Sequence, residues 1–150
     1  MNQAASTRVR TSFHAIAPRL DRLVSGFYDR LFTRAPQVRA FFPADMSAQK
    51  YHLAAALALI MRNIDCLDAL EDSLMGLGAQ HVRFGARPEH YPIVRDSLLD
   101  SLEEQAGALW TEQLRADWSD AINAVSAMML KGAAHAATRI ADSMTRGDPA

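Results

Sequence analysis

Cysteine is all but missing from the sequence. Cys66 stands alone, which excludes an internal disulfide and every zinc or iron–sulfur site built from several thiolates. Placed beside Ile64 and Leu67, a single thiol reads more readily as a small packing residue than as a nucleophile. An excess of one charge is missing too. Sixteen basic residues face 17 acidic ones, and the net charge of −1 offers no field to nucleic acid or to an anionic membrane surface. Long apolar runs are absent: the longest, residues 53–61, falls well short of the roughly 20 residues needed to cross a bilayer. The first residues carry Arg8 and Arg10 and no apolar leader, so a cytoplasmic protein without a membrane span is expected.

Several catalytic signatures are also absent. No glycine-rich phosphate loop follows a strand, and no Gly-x-Ser-x-Gly elbow occurs. The five histidines, at positions 14, 52, 81, 90 and 135, form no metal-protease or zinc-finger pair. Common hydrolase, nucleotide-enzyme and zinc readings therefore lose support.

What is present is helical periodicity. With 49% hydrophobic residues over 150 positions, the chain can build the core of one domain, expected over residues 1–150 with its body at about 7–145. Apolar residues recur at spacings of three and four and nowhere alternate, so an all-α fold is expected. A first helix is placed from Ser6 or Thr7 to Ala17, with Pro18 opening a second that carries Leu20, Leu23, Val24, Phe27 and Leu31. Ala35-Pro36 ends it, since the residue before proline avoids helical dihedrals, and a turn through Val38, Phe41 and Phe42 closes at Pro43.

A third helix from about Ser47 aligns Gln49, Leu53, Leu57, Ile60 and Ile64. Asp65 is the expected N-cap of a fourth, whose stripe of Leu67, Leu70, Leu74 and Leu77 continues to His81. Gly76 and Gly78 weaken that helix and Gly85 stops it. Pro88 begins a fifth, bearing Tyr91, Val94, Leu98 and Leu102. Thr111 caps the last, with Leu114, Trp118, Ile122, Val125 and Met129 on one face and a polar tail that frays after Arg146.

Periodicity alone makes His81 an inward histidine, and most such histidines are satisfied core residues rather than ligands. Tyr28 could equally bury its ring with a bonded hydroxyl, and Gln49 could be a solvated helix-start residue. The order of the pieces shifts that balance. Phe27-Tyr28-Asp29-Arg30-Leu31-Phe32 is followed by Pro36 and Phe42, then Gln49 with Leu53, then His81, then Arg87-Pro88-Glu89-His90-Tyr91-Pro92-Ile93-Val94. This set resembles the globin family, and more closely the single-domain bacterial haemoglobins and the haem domain of flavohaemoglobins.

The resemblance implies a three-over-three helical sandwich enclosing haem b, with its iron held by His81. Phe42 would wedge against the haem, with Leu53, Tyr91 and Val94 completing its pocket, and Pro36 would fix the turn that delivers Phe42. Tyr28 and Gln49 would form the polar pair beside a bound gas. The segment between Phe42 and Gln49 is shorter than in flavohaemoglobins, and a slip of one turn would put Lys50 or His52 in the pocket instead. By register from Trp118, His135 stands where flavohaemoglobins carry a glutamate bonded to the ligating imidazole; a place on the helix surface is the alternative.

The function implied is reversible binding of dioxygen, nitric oxide or carbon monoxide. Nitric oxide dioxygenation would be its enzymatic extension, with a separate reductase as electron source. A gas- or redox-sensing haem module acting through a partner protein is the alternative. As partners, the gases and a reductase are expected, with the chain a monomer or homodimer.

Overall fold

The Asn2 side chain accepts a hydrogen bond from Ala5 N at 2.8 Å, and this cap starts helix α1 (Gln3–Ile16) before the expected Ser6. The computed structural model describes residues 1–147, and within them it continues with α2 (Leu20–Arg34), α3 (Ser47–Arg62), α4 (Glu71–Arg83), α5 (His90–Ala106) and α6 (Glu112–Arg146). Pro18 sits in a single 3-10 turn (Ala17–Arg19) rather than opening α2. Ala35, at φ −136°, breaks α2 ahead of Pro36 as expected, and Pro36–Phe41 winds as 3-10 helix. Thr111 Oγ1 caps α6 by accepting from Leu114 N at 3.0 Å, and Gly147 closes it in the left-handed region. The tail expected to fray begins after Arg146, and beyond Gly147 it lies outside the described residues.

Asp65 does not cap a helix. Residues Ile64–Leu70 form 3-10 helix bent at Cys66, whose φ of −143° and ψ of 50° interrupt the winding. Asp65 instead forms an ion pair with Arg10 of α1. Leu67 and Leu70 consequently precede α4, and Ile64 lies beyond the end of α3. Cys66 is exposed at this bend, which corrects its reading as a packing residue.

Helix α4 packs most extensively on α6, and α2 packs on α5. Glycine permits the first crossing. A Cβ added at Gly78 would overlap the Met129 carbonyl, and one added at Gly132 would overlap the Met75 carbonyl, so each helix presents a glycine to the other's backbone. Gly76 meets nothing within 4 Å, so the two glycines of α4 have different meanings.

Around these crossings Leu23, Val24, Phe27, Leu31, Leu98 and Leu102 are buried. The α1–α6 contact is anchored at two places. Trp118 Nε1 donates to Ser12 Oγ at 2.9 Å, and Arg8 forms two hydrogen bonds to the buried carboxylate of Asp117. Among the described residues, no helix is long and apolar enough to cross a membrane.

Candidate functional site

Tyr28 lies on the buried face of α2, one position after Phe27, and is 4% exposed. The turn after Pro36 returns Phe42 against it. The Phe42 ring meets Tyr28 edge-on at 5.7 Å and Phe32 at 5.4 Å, while Tyr28 and Phe32 stack at 5.9 Å. Gln49, in the first turn of α3, closes the group by donating from Nε2 to the Tyr28 hydroxyl oxygen at 3.1 Å.

Direction matters in that bond. The Tyr28 oxygen accepts from Gln49, which leaves the phenol proton available to a second acceptor. Burial raises the Tyr28 pKa and the Gln49 bond opposes part of the rise, so the hydroxyl remains a proton donor across the physiological range. Leu53, one turn further along α3, is partly buried and packs against the core.

Gln49 makes the bond to Tyr28, whereas His52 is exposed, with its ring against that of Tyr51 at 5.9 Å. Lys50 is half-buried and makes a backbone bond to Met46.

His81 occupies the last turn of α4 and is half-buried. Its Nδ1 lies 2.7 Å from the Leu77 carbonyl, an acceptor only, so Nδ1 carries a proton and the lone pair of the uncharged tautomer falls on Nε2. Helical spacing supplies this arrangement, since residues four apart share one face.

Tyr91 enters in the first turn of α5. Among the described residues its buried hydroxyl oxygen has no hydrogen-bond partner, and burial raises its pKa. Val94, one turn on, is partly buried against the core. His135 offers Tyr91 nothing: it is exposed and lines a surface groove between α4 and α6 with Asp72, Gly76 and Arg139. Among the described residues, no three His, Cys, Asp or Glu side chains gather to hold a metal ion.

One participant escaped the sequence reading. Arg39, on the turn between α2 and α3, bonds to the carbonyls of Phe42, Pro43 and Ala44 and lies over the Phe32 ring. A lone cation in an irregular apolar turn was the available signal, because carbonyls outside regular structure need donors.

Residues 25–129 match the family profile described as Globin. An uncharacterized globin-like protein of Aquifex aeolicus is 32% identical over 82 residues, which are 55% of this chain and 59% of that protein. The flavohemoprotein of Rhizobium meliloti is 27% identical over 124 residues, 81% of this chain and 31% of that protein. The chain thus spans less than two thirds of the length of either relative. Among solved structures, an engineered carbene transferase and candidate nitric oxide dioxygenase from Rhodothermus marinus superposes with a TM-score of 0.85 at 27% identity, covering 94% of this chain and 99% of that one. The shared fold is all-α, the three-over-three helical sandwich, and the profile match extends over more than half of the sequence. The protein belongs to the globin family.

Proposed function

We propose that this globin binds one haem b through Nε2 of His81 and a diatomic gas, dioxygen foremost, beside Tyr28. The carrying observation is the bond from Gln49 to the Tyr28 oxygen, which holds a buried phenol with its proton free for a ligand. When bound, the haem supplies an iron with one coordination position open to a gas.

The residues present fit that group. The Leu77 carbonyl fixes the Nδ1–H tautomer of His81, the one that offers Nε2 as an electron-pair donor. Tyr91 has a buried hydroxyl that nothing within the described chain satisfies, as expected where a further polar group completes the pocket. Phe42, Leu53 and Val94 are each only partly buried, apolar surface suited to a large flat ring.

On the gas side, Tyr28 donates the hydrogen bond and Gln49 fixes where the phenol points. Phe27, Phe32 and Phe42 surround the Tyr28 ring and exclude water, which strengthens that bond. His81 holds its position by donating a hydrogen bond from Nδ1 to a neutral carbonyl rather than to a carboxylate. The single domain of residues 1–150 would then act as a carrier of dioxygen, nitric oxide or carbon monoxide. With dioxygen as the oxidant that supplies both added oxygen atoms, and a separate reductase supplying one electron per turnover, it would convert nitric oxide to nitrate at the same site, a reading supported by the flavohemoprotein relative and the Rhodothermus marinus structure.

The visible spectrum of protein purified with haem supplied tests the reading. A Soret band that His81→Ala abolishes is expected; no band in the wild type, or an unaltered band in His81→Ala, contradicts it.

A further inference from the structure

Between Phe41 and Ser47 the backbone has no regular structure, yet this stretch must present Phe42 to Tyr28 and start α3 so that Gln49 reaches the phenol. Arg39 supplies what the backbone lacks. Its Nη1 donates to the Phe42 carbonyl at 3.2 Å and to the Pro43 carbonyl at 3.0 Å, and its Nη2 donates to the Ala44 carbonyl at 3.3 Å. The same guanidinium lies 5.1 Å from the centre of the Phe32 ring, the ring that stacks on Tyr28 and meets Phe42 edge-on.

We infer that Arg39 is a positioning residue for the gas site: one guanidinium clamps three successive carbonyls of the turn to the aromatic wall around Tyr28. The inference rests on the gas-binding reading for its functional consequence, but not for the clamp itself. A planar cation with five donors can stack on a ring and bond several carbonyls together. A lysine ammonium is a compact point charge that cannot do both, and methionine donates nothing. Beyond the clamp the turn has few fixed points. The Asp45 carboxylate accepts from Ser47 N at 2.9 Å at the start of α3, and Phe42 N bonds back to the Arg39 carbonyl at 3.1 Å. Without the guanidinium, the Phe42 ring and the entry to α3 lose their common support, and the Tyr28–Gln49 bond becomes one of several arrangements.

Two measurements on the full chain test this. Amide hydrogen exchange at Phe42, Ser47 and Lys50, whose amides bond to Arg39, Asp45 and Met46, is expected to quicken about tenfold in both Arg39→Met and Arg39→Lys, with α5 and α6 unchanged. Unchanged exchange in the turn overturns the clamp. In the haem-loaded protein, Arg39→Met is expected to release dioxygen about fivefold faster, with no further acceleration in a Tyr28→Phe background, because both changes act through one phenol. Release unchanged by Arg39→Met, or an effect of full size in the Tyr28→Phe background, overturns the positioning role. If Tyr28→Phe alone leaves release unaltered, the gas-site reading fails, while the exchange measurement still decides whether Arg39 holds the turn.

Discussion

Gln49 donates to the Tyr28 hydroxyl at 3.1 Å, so the amide orients the phenol without consuming its proton. The two residues should therefore contribute unequally. Tyr28→Phe removes the donor and is expected to speed dioxygen release from the haem-loaded protein about tenfold, the equivalent of one net hydrogen bond. Gln49→Leu leaves the donor in place but unaimed, and its effect should be smaller, about threefold. Stopped-flow displacement of dioxygen measures both; a larger effect from Gln49→Leu would contradict this division.

The glycines of α4 give a stability test independent of haem. Gly78→Ala and Gly132→Ala each place a methyl on the opposite backbone, which cannot yield as a flexible side chain would. Each should destabilise the protein by about 1–3 kcal/mol, the usual range for overpacking. Gly76→Ala meets open space and should stabilise by about 0.5–1 kcal/mol through helix propensity and the unfolded chain. Urea unfolding of the three variants separates the outcomes, and equal effects at Gly76 and Gly78 would refute the close crossing.

That contrast also shows what the sequence could reveal. Spacing identifies helices and their inner faces, so α2, α5 and α6 were legible, as were the Thr111 cap and the break before Pro36. Spacing cannot show which glycine meets another helix, and Gly76 and Gly78 look alike until α6 is in place. Asp65 had the residue type of a cap, but its carboxylate found Arg10, a partner 55 positions away. Tyr28 and Gln49 were legible only through their order along the chain. Arg39 was not, because its partners are backbone carbonyls, which every sequence has.

Asp117 makes stability depend on pH. Its carboxylate is buried against Arg8 and Gln113, and the bond from Arg8, followed by that from Gln113, holds its pKa below the ordinary value despite an opposing effect of burial. A depressed folded pKa means that the stabilisation is complete above the ordinary carboxylate value of about 3.9 and is lost as pH falls through the folded value. Arg8, its own pKa raised by Asp117, stays charged throughout. The urea midpoint of the wild type should therefore fall more steeply than that of Asp117→Asn from about pH 5 downward. Parallel profiles would show that the pair contributes nothing to acid stability.

The orphaned hydroxyl of Tyr91 provides a test that needs haem only as a comparison. A buried O–H without a partner has lost its water and gained nothing in exchange, whereas phenylalanine fills the same space without that penalty. Tyr91→Phe should thus stabilise the haem-free chain by about 1 kcal/mol in urea unfolding. If a bound haem completes the pocket, the hydroxyl acquires a polar neighbour there, and the gain should shrink or reverse once haem is loaded. The two states must therefore respond differently to one substitution. Destabilisation of the haem-free chain would show that the hydroxyl has a partner, and an equal gain in both states would show that haem does not complete the polar surroundings of Tyr91.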